Sequence, residues 1–470
     1  MPGHRAAAAT ILLLALAGCA STGQAPAPAT SPASSSPAPS PSAAAPDSAA
    51  SQAAAPTNWF TYHGNVARTG AVAGLPRAGK LKIAWTRPLG AAVYGQPLVI
   101  GDTVIAATSS DDVVALNRGT GAVRWKRRVG TPLPLGQQPC GNIQPLGITS
   151  TPVYDPASKH VYVVAQNGRT GHLLAALRVS DGRVVFTRAV PSPDRNPAYD
   201  QQRGALTLTA GRIYVVFGGH YGDCGPYRGT VVGMPASGHG AVVSYQVPTK
   251  LQGGIWASGG PVVGPSGTIY VSTGNGATTA RTFDGSDSVT ALTPGLTKAA
   301  IFAPADWRTL SDDDLDLGSL SPALLPDGRI LQVGKSGTGY LLNSRHLGGI
   351  GGELASGSVC AAFGGAAVSG TVVYVPCYPA GLAAVQTAGT AVKVRWRGPP
   401  GAWGSPAVGG GAVFVADWNN GTLYELDPAT GNVRHKVSLG GALPHFVSPA
   451  MSGSLLLIGT MSGVVAVSGL

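Results

Sequence analysis

A short acidic segment holds the residues best suited to binding a metal ion or accepting a proton. Four of the chain's 21 acidic residues fall between positions 312 and 316, and carboxylate oxygens are ligands that Ca²⁺ prefers. Asp312, Asp314 and Asp316 are therefore candidate calcium ligands, and Asp316 is also the candidate catalytic base. An EF-hand is excluded, because the sixth and twelfth positions of its loop would be Leu317 and Ala323. The alternative is a solvated loop whose aspartates cap turns.

Two further side chains have types suited to holding a ligand or cofactor. Lys335 could pair with an anionic group, and Trp256 could provide a flat stacking surface. The alternatives are that Lys335 lies in an exposed turn and that Trp256 packs two neighbouring sheets of the fold together. The nine histidines are scattered without metal-like spacing, and the sequence has neither a Gly-x-Ser-x-Gly nucleophile motif nor a phosphate-binding P-loop.

The first residues predict export and anchoring rather than a fold. The apolar run Ala6–Ala17 is too short to cross a bilayer but suits the core of a signal peptide. It ends in Leu16-Ala17-Gly18-Cys19, which resembles the bacterial lipobox. We therefore expect a lipoprotein signal peptide over residues 1–18 and acylation of Cys19 with fatty acids such as palmitate. Two acyl chains would hold the protein on the outer side of the cell membrane. The alternative is an ordinary secretory signal with a chance cysteine.

Residues 19–57 contain Cys19 and a tract of Ala, Pro, Ser and Thr, in which Asp47 is the only charged residue. Such a tract cannot bury a core, and its prolines favour an extended polyproline II conformation. We predict a disordered, semi-rigid stalk that holds the folded part, residues 58–470, away from the membrane.

The folded part is predicted to be rich in strands and turns. The 68 glycines and 38 prolines would interrupt most helices of ordinary length, while the 44% of hydrophobic residues excludes global disorder. From about residue 95 the chain repeats a unit of four short strands, the signature of a β-propeller blade. The units open near Pro97, Pro152, Leu206, Pro261, Pro322, Ala366, Pro406 and Pro449. We predict an all-β, eight-bladed β-propeller of four-stranded blades; a β-solenoid that does not close is the alternative.

The two ends of the repeat predict how the ring closes. The last unit ends with Gly463–Ser468 as its third strand, whereas Leu81–Leu89 is an unpaired fourth strand ahead of the first unit. Pairing these segments would complete the eighth blade and remove an open sheet edge.

Four cysteines besides Cys19 suggest disulfides, because their number is even and the expected compartment is oxidising. In a propeller, the loops from second to third strand and from blade to blade emerge on one face, here called the loop face. Cys360 enters the sixth unit and Cys377 lies in its second-to-third-strand loop, so we predict that they pair. The same argument pairs Cys140 with Cys224. A zinc site is disfavoured, because no Cys-x₂-Cys spacing occurs.

Several stretches resemble the pyrroloquinoline-quinone (PQQ) repeat proteins, a superfamily that includes quinoprotein alcohol dehydrogenases and non-enzymatic relatives. Thr120-Gly121 leading into Trp125-Lys126 is similar to the repeat itself, and residues 59–70 resemble the N-terminal segment of secreted members. Residues 253–256 with 269–276 resemble a strand pair of the alcohol dehydrogenases. Residues 314–337 resemble a segment of the polyvinyl-alcohol dehydrogenase branch. The resemblance spans residues 58–470.

The resemblance implies an eight-bladed fold and names PQQ and Ca²⁺ as possible cofactors. In an enzyme of this kind, the candidate residues would be Trp256 as a stacking surface, Lys335 as a cation near the quinone and Asp316 as the base. The sequence lacks the adjacent cysteines that cover PQQ in many of these dehydrogenases, and it lacks a Cys-x-x-Cys-His haem motif.

Two functions follow from these patterns, and they leave open whether the protein is an enzyme. One is a binding or scaffold module of the cell envelope that uses its loop face, like the propeller lipoprotein that assists outer-membrane protein assembly. The other is a PQQ-dependent oxidoreductase acting on an alcohol. The formal net charge of +11 indicates an anionic partner. Outside the membrane we expect an anionic wall polymer, lipid headgroups or an envelope protein rather than nucleic acid. The alternative is a solubilising excess. We expect a monomer, because a closed propeller needs no partner.

Overall fold

The structure, a computed structural model, describes residues 58–191, 197–277 and 282–470. The predicted signal peptide, Cys19 and the stalk lie outside these residues. Within them, no helix is long and apolar enough to cross a membrane. The helical segments are short: Trp307–Asp312 is α-helical, and the 3₁₀ turns are Tyr62–Gly64, Leu135–Gln137, Pro197–Tyr199 and Leu317–Ser319.

Eight antiparallel sheets follow one another as the blades of a β-propeller, which confirms the predicted fold. Blade 1 has strands Leu98–Ile100, Thr103–Ala107, Asp112–Asn117 and Val123–Arg128. Blade 2 has Val153–Asp155, His160–Gln166, His172–Arg178 and Val184–Val190. Blade 3 has Thr207–Thr209, Arg212–Gly219, Thr230–Pro235 and Val243–Gln246, with Asp200–Gln201 added beside the second strand. Blade 4 has Val262–Val263, Ile269–Thr273, Ser288–Leu292 and Lys298–Ala303, with Gly349–Ile350 added in parallel at its edge.

The remaining blades keep the four-stranded pattern. Blade 5 has Ala323–Leu324, Arg329–Val333, Thr338–Asn343 and Ala355–Ser358. Blade 6 has Ala367–Ser369, Val372–Cys377, Gly381–Gln386 and Lys393–Arg397. Blade 7 has Ala407–Gly409, Ala412–Asp417, Thr422–Leu426 and Val433–Ser438. Blade 8 has Ala450–Ser452, Leu455–Gly459, Gly463–Ser468 and the N-terminal strand Lys82–Pro88.

The second and third strands are apolar on both faces, because each blade packs against a neighbour on either side. Successive side chains of a strand point to opposite faces. In blade 1, Val104 and Ala106 pack in one cluster with blade 8, whereas Ile105 and Ala107 pack in another with blade 2. The hydrophobic core is therefore a series of layers between blades, and it is continuous only if the ring closes.

The ring closes as predicted, through a strand that comes from the N-terminal side. Lys82–Pro88 runs antiparallel to Gly463–Ser468, with Lys82 opposite Ser468 and Pro88 opposite Gly463. The expected segment, Leu81–Leu89, is one residue longer at each end.

An aromatic side chain on the outer strand of a blade covers a glycine turn of the next blade. The indoles of Trp85, Trp125 and Trp396 donate to the carbonyls of Arg118, Val179 and Pro428 at 2.8–3.0 Å. Under each indole lies a glycine with a positive φ: Gly121, Gly182 and Gly431. A Cβ there would stand 2.4–2.6 Å from the ring, so only glycine allows this contact between blades.

Replacing Gly182 by alanine is expected to lower the free energy of unfolding by about 2–4 kcal/mol, since it adds overpacking to left-handed strain. The new Cβ would lie 2.5 Å from Trp125 Cε3, at a φ of +70°. Gly211→Ala is the matched control, because its φ is +69° and a Cβ there has no neighbour within 4 Å. Urea denaturation of both variants measures the difference; equal losses would contradict the covering role of the indole.

The segment Trp59–Gly70, here called the plug segment, crosses the ring at its centre. Its backbone hydrogen-bonds to the first, innermost strands of blades 1, 2, 4, 6 and 7. Three side chains anchor it. The Trp59 indole donates to Gln96 Oε1 at 2.7 Å, and His63 Nε2 lies 3.1 Å from Ser448 Oγ. Arg68, which is 4% exposed, uses all five guanidinium donors on protein oxygens.

Two buried histidines are expected to destabilise the folded chain as the pH drops below 6.5. Burial lowers the pKa of His63 and of His172, each to about 3, whereas in the unfolded chain both bind a proton near pH 6.5. Between these values each of the two histidines holds more protons in the unfolded chain than in the folded chain. The free energy of unfolding therefore drops by up to about 1.4 kcal/mol per pH unit for each histidine.

Urea denaturation between pH 7 and pH 5 measures this slope. Replacing His172 by glutamine should reduce it, whereas the same change at the exposed His239 should leave it unchanged. Equal slopes in the two variants would show that His172 does not carry the effect.

Candidate functional site

A pocket of about 790 Å³ opens among the loops predicted to share one face. Its walls come from the links that precede blades 1, 2, 3, 4, 5, 6 and 8 and from the second-to-third-strand loops of blades 3, 4, 5 and 8. Trp256, Asp314, Asp316 and Lys335 all line it. The structure thus brings together the residues that sequence reasoning selected for cofactor binding and catalysis, apart from Asp312.

Asp316 and Lys335 form an ion pair in the wall of the pocket. Lys335 Nζ lies 2.5 Å from Asp316 Oδ2 and 2.8 Å from Asp314 Oδ1. The other oxygen of Asp316 accepts the backbone N–H of Asn275 at 2.7 Å. Lys335 Nζ also lies 6.0 Å from the ring centroid of Trp256, within cation–π range. Burial opposes the charge of the ammonium, but the two carboxylates outweigh it and raise the pKa of Lys335.

A second buried carboxylate, Asp287, holds the loop that carries Asp316. Its Oδ2 accepts the hydroxyl of Ser311 at 2.6 Å, and its Oδ1 accepts the backbone N–H of Leu317 at 2.9 Å. Asp287 therefore fixes both ends of the loop, and burial raises its pKa to about 7. The sequence analysis missed it, because it lies 29 positions before Asp316 in an ordinary-looking turn.

The three aspartates proposed as calcium ligands do not form a shared metal site in the structure. Asp312 is exposed at the end of the helix Trp307–Asp312, whereas Asp314 and Asp316 both turn toward Lys335. The ammonium occupies the place between the carboxylates that a cation would need. Across residues 58–191, 197–277 and 282–470, no three His, Cys, Asp or Glu side chains are grouped to hold a metal ion.

Aromatic rings extend from Trp256 across the pocket. Phe363 and Phe446 stack with a ring separation of 6.2 Å, and their centroids lie 6.4 and 6.1 Å from that of Trp256. Trp418 meets the edge of Phe446 at 5.6 Å. Trp256 is half-buried, so it both packs against neighbouring rings and presents a surface to the pocket.

Residues that sequence reasoning missed share one position in the repeat. Three positions before the eight blade openings stand Tyr94, Thr149, Arg203, Ser258, Ser319, Phe363, Trp403 and Phe446. Propeller symmetry places equivalent positions around the central axis, and the large members Tyr94, Arg203, Phe363 and Phe446 line the pocket. Comparing this position across the units would have found them from the sequence alone.

The structure contains two disulfides, Cys140–Cys224 and Cys360–Cys377, which are the pairs expected from the loop positions. Their Cα atoms lie 6.1 and 5.5 Å apart. The first ties the loop before blade 2 to the loop that carries Asp223 of the pocket wall. Closing a loop of this length contributes about 4 kcal/mol in a chain-entropy treatment.

The eight blades and the inter-blade indoles define a PQQ-like β-propeller. The chain belongs to the family described as outer membrane protein assembly factor BamB, whose profile matches residues 67–281 and 325–469.

Solved structures share the fold at low sequence identity. Quinohemoprotein alcohol dehydrogenase from Comamonas testosteroni is 17% identical with a TM-score of 0.66, over 89% of this chain and 81% of that one. A europium-containing methanol dehydrogenase is 16% identical with a TM-score of 0.67, over 88% and 98%. BamB from Moraxella catarrhalis is 15% identical with a TM-score of 0.54, over 83% and 98%. A comparison with curated proteins finds no significant match.

Proposed function

We propose that the protein is a binding module of the cell envelope that holds its ligand in the loop-face pocket. The observation that carries this proposal is the cavity of about 790 Å³, which is lined by aromatic rings and by charged side chains. Concave sites of this size with a few convergent polar groups are typical of small-molecule or side-chain recognition. The membership of a family that includes BamB fits a role in binding rather than catalysis.

Anchoring through acylated Cys19, with residues 20–57 as a stalk, remains part of this proposal. It would hold the propeller outside the cell membrane, within reach of envelope proteins and anionic wall polymers. Replacing Cys19 by alanine should move the protein from the membrane fraction to the soluble extracytoplasmic fraction. Unchanged membrane retention would contradict lipid anchoring while leaving the pocket proposal intact.

A PQQ-dependent alcohol dehydrogenase is the second candidate, and the arrangement of Trp256, Asp316 and Lys335 favours it. The pocket has room for a planar three-ring quinone, and Trp256 would form the stacking floor. When bound, PQQ would supply a two-electron acceptor for an alcohol. In such an enzyme Asp316 would accept the hydroxyl proton. Its carboxylate is held by Lys335 and by the N–H of Asn275. The described residues fit Ca²⁺ less well than PQQ, because the ammonium of Lys335 stands between the carboxylates of Asp314 and Asp316.

Titration of the purified full chain with PQQ, with and without Ca²⁺, tests both candidates by tryptophan fluorescence. The binding-module proposal expects saturable quenching by a planar ligand such as PQQ. It expects no alcohol-dependent reduction of an artificial electron acceptor. Alcohol-dependent dye reduction in the presence of PQQ would replace it with the oxidoreductase. Trp256→Leu should remove the quenching, whereas Trp396→Leu, at a blade contact outside the pocket, should retain it.

A further inference from the structure

Arg203 is a buried cation whose hydrogen-bonding capacity the protein leaves largely unused. The residue is 8% exposed and lines the pocket. Its guanidinium donates to two backbone carbonyls, Thr149 O at 3.0 Å and His445 O at 2.9 Å. A guanidinium has five donors, so three remain. No carboxylate lies within ion-pair distance of Arg203 in the part of the chain that the structure describes.

Comparison with Arg68 shows that this arrangement is specific to the pocket. Both guanidinium groups are buried away from carboxylates, but Arg68 satisfies all five donors on protein oxygens and lies in the plug segment. Burial of a charge without full hydrogen bonding is costly. Arg203 is the one of the two that faces a cavity, and an anion entering that cavity would complete its donors.

The surroundings of Arg203 also indicate the shape of the ligand that bears the anionic group. The guanidinium carbon lies 5.8 Å from the ring centroid of Tyr94 and 5.7 Å from that of Phe446. Phe446 in turn contacts Phe363 and Trp256. A continuous set of ring surfaces therefore leads from Arg203 to Trp256, and such surfaces favour a flat aromatic ligand.

The wall near Trp256 has the opposite electrostatic character. Lys335 is already shared by Asp314 and Asp316, so this group carries a formal excess of one negative charge. A second acid group on the ligand would be repelled there. The polarity of the pocket thus orients a ligand with its acid at Arg203 and a neutral or hydrogen-bond-donating end toward Asp316.

We propose that Arg203 is the specificity-determining residue of the pocket and that the ligand is a planar aromatic monoacid whose oxyanion binds the free guanidinium donors. This inference rests on the proposed binding function and names its ligand class. A carboxylate and a phosphate both meet this requirement, because a planar guanidinium can donate two parallel hydrogen bonds to either group. The other facing groups are the Tyr94 and Tyr62 hydroxyls. Although burial lowers the pKa of Arg203 to about 10, the group stays protonated near neutral pH.

Calorimetric titration of the full chain with 2-naphthoate, 2-naphthamide and 2-naphthyl phosphate tests the proposal. On the native protein, at least one of the two acids should bind about 10-fold or more tightly than the neutral amide, since hydrogen bonds to charged groups have this weight. The ratio of the two acids identifies the oxyanion. Equal affinity for acids and amide would overturn the role of Arg203 without any variant.

The Arg203→Gln variant should reduce the affinity for the acid to that for the amide, and Arg203→Lys should retain part of the preference. Arg395→Gln, on the exposed outer strand of blade 6, is the matched control and should bind like the native protein. Thermal unfolding checks that each variant is folded. Undiminished acid binding by folded Arg203→Gln would overturn the inference. If none of the three compounds bound the native protein, the proposed pocket function itself would fail.

Discussion

A chain that ends after Ser462 is expected to lose cooperative folding. The missing strand, Gly463–Ser468, pairs on one side with Leu455–Gly459 and on the other with Lys82–Pro88. Its valines at positions 464, 465 and 467 are at most 1% exposed. Burial of each contributes about 1.5–3 kcal/mol, so their sum approaches the 5–15 kcal/mol that stabilises a typical domain.

Thermal unfolding followed by circular dichroism measures this loss, and a chain that ends after Ser468 is the matched control. That control keeps every residue of the last strand and removes Gly469 and Leu470, so it should unfold cooperatively near the native midpoint. If truncation after Ser462 left a sharp transition, the seven other blades would be stable without closure, and the continuous inter-blade core described above would not be required.

The second large effect is expected at Arg68, whose replacement by methionine should lower the free energy of unfolding by about 4 kcal/mol. Methionine fills much of the volume but removes all five guanidinium hydrogen bonds. The carbonyl of Tyr62 is then left without a donor, whereas those of Leu206 and Pro261 keep only a threonine hydroxyl. Each buried polar group left unsatisfied costs about 1–3 kcal/mol. Chemical denaturation measures the change.

Arg395→Met is the matched control, because the Arg395 side chain is exposed. It measures the effect of losing one positive charge without losing buried hydrogen bonds. A loss of less than about 1 kcal/mol in Arg68→Met would be within the range of ordinary surface substitutions. It would mean that water replaces the guanidinium without penalty, and that the plug segment is held mainly by its backbone hydrogen bonds.

The repeat could be predicted from the sequence because each blade contains its own recurring turn residues. The turns around Gly121 and Gly431 follow a strand within the same unit and recur with it, so the pattern is visible without knowledge of distant contacts. Closure by Leu81–Leu89 was also predictable, because counting strands leaves one missing at one end and one spare at the other.

The plug segment shows why the remainder could not be predicted. His63 contacts Ser448, which lies 385 positions away, and Arg68 contacts Pro261 and Leu206 across the ring. No local pattern in Trp59–Gly70 encodes these partners. In the pocket, Trp256, Asp316 and Lys335 were selected by residue type and resemblance. Comparing equivalent repeat positions would have placed Arg203 in the pocket, but its burial and its unused donors are properties of the folded chain.

The pairing of Lys82–Pro88 with Gly463–Ser468 also orders events during biosynthesis. Lys82 and Ser468 are 386 residues apart and are neighbours in the finished ring. The N-terminal strand therefore emerges long before its β-partner among the described residues exists, and its edge stays exposed while the other blades are made. Unpaired edges of this kind associate with other chains. Completion of the fold thus waits until residues 463–468 have been synthesised, and until then the unpaired strand must be kept from associating with other chains.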